Sequence, residues 1–132
     1  MKKVIIIDDE MNIRSALTRE LHDYGYGVII ASTGLEALSK LRTQNVDLII
    51  LDLKMPVMDG FEFLKNVIIT EPQIKIVILS GNITKQNLTD LVNYKKNIIG
   101  ILVKPWDSDQ LIKILEKCFS EDTENREKRG RS

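Results

Sequence analysis

Five short apolar runs, rich in β-branched residues, are separated by segments with a helical repeat. Their length and composition are those of strands, and they are nearly continuous rather than alternating, which is typical of strands buried on both faces. Strands that alternate with helices in this way predict an α/β protein with a doubly wound parallel sheet between two helical layers. The predicted strands span residues 4–7, 28–31, 46–51, 74–79 and 98–103.

The segments between these runs predict five helices. Three of them have a clear apolar stripe, formed by Ile13, Leu17, Leu21 and Tyr24, by Leu35, Leu38 and Leu41, and by Leu111, Leu115 and Phe119. Thr33 and Glu36 have the spacing of a capping box at the start of the second helix, and Asp107 is the expected N-cap of the fifth. The third helix is predicted over 61–70, and the fourth, over 84–92, is polar and weakly patterned.

Length and composition exclude several classes of protein. The 132 residues suit one domain, and 19 basic residues balance 19 acidic ones, which argues against direct nucleic-acid binding. With one cysteine, Cys118, no intrachain disulfide can form. The apolar start is too short for a signal peptide and no run reaches the ~20 residues of a membrane span. We therefore expect a cytoplasmic protein without membrane contact.

The last twelve residues differ from the rest of the chain. Residues 121–132 contain four acids, four bases and no apolar side chain. Such a segment cannot bury apolar surface of its own. We therefore expect a domain at 1–120, followed by a polar tail or a truncated linker at 121–132.

Polar residues follow four of the five predicted strands. In a parallel sheet the carboxyl ends of the strands meet at one edge, where ligands bind. Each residue alone has an ordinary role as a helix cap or turn residue, but together they predict a site with carboxylates, a hydroxyl and an ammonium group. They are Asp8, Asp9 and Glu10 after the first strand, Asp52 after the third, Ser80 after the fourth and Lys104 after the fifth.

These carboxylates need a cationic partner. Two unit charges ~4 Å apart repel by roughly 4 kcal/mol at an effective dielectric constant of ~20, and Lys104 supplies one positive charge. An oxygen-only site with few carboxylates favours Mg²⁺, and the lack of a Cys/His cluster disfavours zinc. Mg²⁺, a lysine, a hydroxyl and a nucleophilic aspartate suit phosphoryl transfer.

Four segments resemble the receiver domain of bacterial two-component response regulators: IDDE at 7–10, LDLKMPVMDG at 51–60, LSG at 79–81 and VKPW at 103–106. The D-x-x-M-P-x-M-D-G pattern is the most specific of them. The resemblance spans about residues 2–120. It implies the flavodoxin-like receiver fold, with five helices around a parallel sheet of strand order 2-1-3-4-5.

The resemblance also implies roles for the site residues. Asp52 matches the phosphoacceptor, which takes a phosphoryl group from a phosphohistidine of a sensor histidine kinase or phosphotransfer protein. Ser80 and Lys104 match the residues that bind this group, and Lys104–Pro105 matches a cis peptide. The implied Mg²⁺ ligands are Asp8, directly or through water, Asp9, Asp52 and the backbone carbonyl of Lys54.

The loops near the site carry further expectations. Pro56 should stiffen the turn after the phosphoacceptor, Asp59 should cap the third helix, and Gly60 should allow close packing or an unusual backbone angle. Met55 and Met58 are expected to pack rather than to ligate. Elsewhere, His22 is expected at the surface, and Tyr24 and Tyr26 are expected to pack near the end of the first helix.

The sequence departs from the family at one position. Ile101 stands three residues before Lys104, where many relatives have an aromatic residue that rotates on phosphorylation. The usual coupling through Ser80 is therefore in doubt. Trp106 is either an apolar lid for the fifth helix, or it belongs to an output surface or replaces the rotating aromatic residue.

Three functions fit these residues. The first is a phosphorylation-dependent switch that alters an effector-binding surface around the fourth helix, fifth strand and fifth helix. Phosphorylation of such a switch can also lead to a homodimer. The second is a Mg²⁺-dependent phosphatase or phosphotransferase, although Lys54 stands where such enzymes commonly have an acid/base aspartate. The third is a receiver that serves only for interaction.

Overall fold

The computed structural model describes residues 1–55 and 58–130. These residues form one five-stranded β-sheet with helices packed on both of its faces. Pro56 lies outside the described residues, and its role in the turn stays a prediction. The elements in chain order are β1 Lys3–Ile7, α1 Met11–Asp23, β2 Gly27–Ala31, α2 Gly34–Thr43, β3 Leu48–Leu51, α3 Gly60–Thr70, β4 Lys75–Ser80, α4 Lys85–Leu91, a 3₁₀ turn Val92–Tyr94, β5 Ile98–Val103 and α5 Ser108–Gly130.

All neighbouring strands are parallel, in the order β2-β1-β3-β4-β5. This confirms the predicted fold class. The strand order reverses direction at β1, so the carboxyl ends of β1 and β3 form the switch point at which ligands bind in doubly wound sheets. The register of β4 and β5 pairs Ser80 with Val103, which brings the residues that follow these two strands to the same edge.

The sheet separates two apolar cores. Alternate residues of each central strand point to opposite faces, so Val4 and Ile6 pack towards α1 and α5, whereas Ile5 and Ile7 pack towards α2 and α3. All four side chains are fully buried. This two-sided burial explains why the strands have continuous rather than alternating apolar sequences.

Polar side chains begin most of the helices as predicted. The Thr33 hydroxyl accepts from the Glu36 N–H at 3.1 Å, and Asp59 accepts from the Glu62 N–H at 2.9 Å. Asp107 accepts from two amides at the start of α5. The capping box at Thr33 is only half formed, because the Glu36 carboxylate accepts from the preceding Ser32 N–H instead of the Thr33 N–H.

Two apolar packing predictions are wrong. Tyr24 and Leu35 are 53% and 55% exposed. Tyr24 is the C-cap residue that follows α1, whereas Tyr26 does pack and its ring centre lies 5.6 Å from that of Phe119. In α2 the fully buried Ala37 occupies the centre of the helix contact, which rotates Leu35 towards solvent.

The backbone of α5 is helical to Gly130, within the segment predicted as a tail. The domain boundary at residue 120 stays a prediction. Within the described residues, no helix combines the length and the apolarity needed to cross a membrane.

Candidate functional site

The predicted strand-end residues lie together at the carboxyl edge of the sheet. Asp8 follows β1, Asp52 follows β3, Ser80 ends β4 and Lys104 follows β5. The side chains of Asp8 and Asp52 are only 3% and 4% exposed, and Ser80 is fully buried. Buried carboxylates are tolerated only when partners offset their charge, so the contacts of this group decide its chemistry.

Lys104 is the cation at the centre of these contacts. Its Nζ lies 2.7 Å from a carboxylate oxygen of Asp8 and 3.3 Å from oxygens of both Asp52 and Glu10. The backbone holds the lysine in place, because its N–H donates to the Ser80 carbonyl at 2.9 Å. The Lys104–Pro105 peptide bond is cis, as the resemblance implies. One ammonium group therefore faces three carboxylates, and the cluster keeps a negative charge.

Asp52 is oriented by donors on both of its carboxylate oxygens. Oδ1 accepts from the Ser80 hydroxyl at 2.9 Å and from the Lys54 N–H at 3.1 Å, whereas Oδ2 faces Lys104. The Asp52 N–H donates to the carbonyl of Ile7 at 3.0 Å. The Lys54 side chain is exposed, so it is the main chain of this residue that borders the site.

The ionisation of the cluster reflects its crowding. Burial raises the pKa of the Asp8 carboxyl, and hydrogen bonds from Lys104 and the Glu10 N–H offset only part of this effect. The nearby Asp52 charge acts in the same direction as burial. Burial alone would lower the pKa of Lys104, but its hydrogen bond to Asp8 and the charges of Asp52 and Asp8 outweigh it, so the Lys104 pKa lies above its usual value.

The carboxylates fit a divalent cation. Asp8, Asp9, Glu10 and Asp52 each offer one oxygen, and these four oxygens all lie within 4.8 Å of one another. Asp9 and Glu10 are exposed, so water can complete the coordination. A few carboxylate oxygens with open positions for water suit Mg²⁺, which keeps several bound waters, better than Ca²⁺, which is often surrounded by protein oxygens. Glu10 was predicted as part of the charge cluster, and the structure adds its contact with Lys104.

Close packing at Gly60 supports the loop that carries Asp52. A Cβ atom at Gly60 would lie 2.5 Å from the Cα of Leu53 and 2.9 Å from the Asp52 carbonyl oxygen. A glycine is therefore required at position 60 because the start of α3 lies close to the backbone of residues 52 and 53, and not because the backbone is left-handed there. Met55 is buried and Met58 packs against the same apolar core, so both methionines pack as predicted.

The segment after Lys104 is tied to α1. The Trp106 indole N–H donates to a Glu20 carboxylate oxygen at 3.1 Å, and the ring packs against the core on the α1 and α5 side. Sequence reasoning missed this bond, as it missed the Arg14 guanidinium, which donates to the Asp8 carbonyl at 2.7 Å. The only sequence feature that indicates these two contacts is the position of Arg14 and Glu20 at the edge of the apolar stripe of α1. His22 is exposed, as predicted.

The fold and the site together define a class of protein: a doubly wound domain with a cluster of carboxylates, a hydroxyl and a lysine at the sheet switch point. The family model of the response regulator receiver domain matches residues 4–116. The chain therefore belongs to the receiver domains of two-component response regulators.

Similar proteins agree with this assignment. The chain is 32% identical over 119 residues to the chemotaxis protein CheY of Listeria monocytogenes, covering 89% of this chain and 98% of that one. It is 30% identical to the sporulation initiation phosphotransferase F of Bacillus subtilis, covering 88% and 92%. In E. coli the transcriptional regulatory protein ZraR is 30% identical, but the match covers 26% of its length.

Solved structures show the same fold. The chemotaxis protein CheY4 of Vibrio cholerae is 35% identical, with a TM-score of 0.80 over 89% of this chain and 98% of that chain. The response regulator TrrA of Thermotoga maritima, determined in complex with Mg²⁺ and BeF, is 33% identical, with a TM-score of 0.78 over the same shares.

Proposed function

We propose that this receiver domain is a phosphorylation-dependent switch in which Asp52 accepts the phosphoryl group. The donor is a phosphohistidine of a sensor histidine kinase or a phosphotransfer protein. The observation that carries the proposal is the arrangement around Asp52, whose two carboxylate oxygens are bound by Ser80 and by Lys104 respectively. Both groups are therefore within reach of a phosphoryl group attached at this carboxylate.

The chemistry is a transfer between two nucleophiles. A carboxylate oxygen of Asp52 forms a bond to phosphorus while the bond between phosphorus and the donor imidazole breaks. Lys104 offsets the negative charge of the transferred oxygens, and the Ser80 hydroxyl donates a hydrogen bond to one of them. Mg²⁺, when bound by Asp8, Asp9, Asp52 and the Lys54 carbonyl, supplies further neutralisation of charge.

The product changes the balance of charge at the sheet edge. An aspartyl-phosphate carries roughly −1.5 to −2 charges where the free carboxylate carried one, and its new oxygens draw Lys104 and the Ser80 hydroxyl towards them. Ser80 pairs with Val103 in the sheet and Lys104 follows that strand directly, so a shift of either group acts on the end of β5.

An exposed apolar surface lies where the end of β5 can influence it. Leu88 and Val92 on the α4 side are 46% and 59% exposed, and Ile101 and Val103 of β5 are 39% and 52% exposed. Leu88, Val92 and Ile101 border a groove of about 220 Å³. We propose this α4–β5 surface as the part of the output face that a downstream effector, or a second copy of the chain, contacts after phosphorylation.

The activity is directed at the domain itself. Lys54, an exposed lysine two residues after Asp52, has no carboxylate with which to act as a general acid or base in repeated hydrolysis of an external phosphoester. We therefore expect phosphorylation at a single residue and dephosphorylation by the domain itself, without steady turnover of small phosphomonoesters.

Phosphorylation by acetyl phosphate tests the assignment of Asp52. In the presence of Mg²⁺, the unaltered protein should gain one phosphoryl group by intact mass, sensitive to hydroxylamine, and Asp52→Asn should not. Asp59→Asn is the matched control, because asparagine also caps a helix and the change removes a carboxylate outside the cluster. Undiminished labelling of Asp52→Asn would show that another residue accepts the group.

A second experiment tests the switch. Light scattering and effector binding are compared with and without beryllofluoride and Mg²⁺, a combination that mimics an aspartyl-phosphate. Beryllofluoride should change one of these properties in the unaltered protein and leave Asp52→Asn unchanged. A Val92→Glu variant, altered in the exposed α4–β5 surface, should bind beryllofluoride normally and lose the response.

A further inference from the structure

Arg14 contacts the main chain of the acidic turn at residues 8–10. Its guanidinium Nη1 donates to the carbonyl oxygen of Asp8 at 2.7 Å, in a partly buried position. Its own backbone N–H donates to the Glu10 carbonyl at 3.1 Å as α1 begins. Arg14 therefore holds both sides of the turn that supplies three of the four clustered carboxylates.

This contact completes the immobilisation of Asp8. The Asp8 N–H donates to the Ala31 carbonyl at 3.1 Å, Oδ1 accepts from the Glu10 N–H at 2.9 Å, and Oδ2 lies 2.7 Å from Lys104. With the bond from Arg14, every polar atom of Asp8 has a partner. The side chains of Asp9 and Glu10 project from a turn whose first residue is fixed.

The geometry also separates two roles that a cation could have here. Lys104 binds carboxylate oxygens directly, whereas Arg14 binds a carbonyl oxygen of the main chain. Arg14 therefore leaves the carboxylate oxygens available to a metal ion. Its positive charge alone would oppose a second cation, so any favourable effect on metal binding has to come from the order it imposes.

We propose that Arg14 is a positioning residue for the divalent-cation site, acting by holding the Asp8 carbonyl. This inference rests on the cation site of the proposed function, but it does not depend on which residue is phosphorylated. The planar guanidinium is required, because an ammonium group on a shorter and more flexible stem cannot hold the same carbonyl while it remains partly buried.

The test is a Mg²⁺ titration without phosphodonor, at constant ionic strength, followed by the amide chemical shifts of residues 8–10. Arg14→Gln and Arg14→Lys should both weaken Mg²⁺ binding by about tenfold, which is the effect expected for loss of a hydrogen bond from a charged donor. Their amides at Asp9 and Glu10 should also exchange faster with solvent before Mg²⁺ is added. Arg19→Gln, which removes the same charge from an exposed position of α1, should bind within about twofold of the unaltered protein.

A purely electrostatic role gives the opposite pattern. If the charge of Arg14 were all that mattered, Arg14→Gln would bind Mg²⁺ more tightly and Arg14→Lys would match the unaltered protein, and either result would overturn the proposal. Thermal unfolding of each variant checks that the domain is folded. Failure of the unaltered protein to accept phosphate, with Mg²⁺ binding and its Arg14 dependence intact, would refute the proposed function and leave this inference standing.

Discussion

The acidic cluster should destabilise the metal-free protein, and Asp9→Asn is the variant that measures this. Asp9 is exposed, and one of its oxygens lies within 4.8 Å of oxygens from Asp8, Glu10 and Asp52. In water each such pair repels by about 0.9 kcal/mol at that distance. Lys104 contacts the other three carboxylates and carries one positive charge, which we count as offsetting one of the three repulsions and leaving about 1.7 kcal/mol. Screening at physiological ionic strength reduces this to about 1 kcal/mol.

We expect Asp9→Asn to be about 1 kcal/mol more stable than the unaltered protein in urea titrations with EDTA. Mg²⁺ should reverse the order. At ten times its dissociation constant, a ligand that binds only the folded protein adds about 1.4 kcal/mol. The unaltered protein should gain this stabilisation, and the variant, which lacks one charged ligand, should gain little of it.

A titration in NaCl at matched ionic strength separates screening from binding. NaCl should narrow the difference between the two proteins without reversing it. The reasoning is refuted if Asp9→Asn is the less stable protein in EDTA, because the cluster then carries no net repulsion. Equal stabilisation of both proteins by Mg²⁺ would instead show that Asp9 is not a ligand.

Three further variants test the packing and hydrogen bonds around the site. Gly60→Ala should lower the free energy of unfolding by about 2 kcal/mol in urea titrations, because its methyl group would lie 2.5 Å from a backbone carbon, whereas Gly81→Ala, with open space around the new atom, should be neutral. Trp106→Phe should cost about 1 kcal/mol by the same measurement, since it leaves Glu20 without the indole donor; an unchanged stability would contradict the 3.1 Å bond. The Ser32 N–H lowers the pKa of Glu36, so this carboxylate stabilises the fold above its ordinary pKa of 4.5 and loses that effect as the pH falls through its lower folded value. Glu36→Gln should therefore be less stable at neutral pH, by less than about 1 kcal/mol because the side chain is partly exposed, and thermal unfolding should show the difference shrinking below pH 4.5.

The fold could be predicted because its strands are buried on both faces. A chain segment such as 4–7 has no polar side chain to offer to solvent, so its sequence specifies a central strand almost by itself. The same logic placed the polar residues after the strands at one edge. The exposure of Leu35 could not be predicted, because an apolar stripe leaves open which of its residues faces the sheet, and the small Ala37 permits a closer approach there.

The partners of the site residues could not be predicted either. The bond between Glu20 and Trp106 joins residues 86 positions apart, and it depends on how α1 and the segment before α5 pack against the same face of the sheet. Arg14 lies six residues after Asp8, but its target is a backbone carbonyl, which every residue possesses. Neither contact has a sequence pattern, because each depends on the relative positions of elements rather than on spacing along the chain.

Ile101 limits how a signal can cross from the site to the α4–β5 surface. An aliphatic side chain that is 39% exposed has no ring to rotate and no group to donate, so burial of an aromatic residue at position 101 cannot be the event that reports phosphorylation. The main chain offers a physical connection that needs no ring: the Lys104 N–H donates to the Ser80 carbonyl, and Ser80 is paired with Val103. Movement of Ser80 and Lys104 towards new phosphoryl oxygens would shift this end of β5 directly, together with the exposed side chains of Ile101 and Val103. An Ile101→Tyr variant should therefore leave phosphorylation of Asp52 unchanged, and a switch that works only after this substitution would contradict transmission through the backbone.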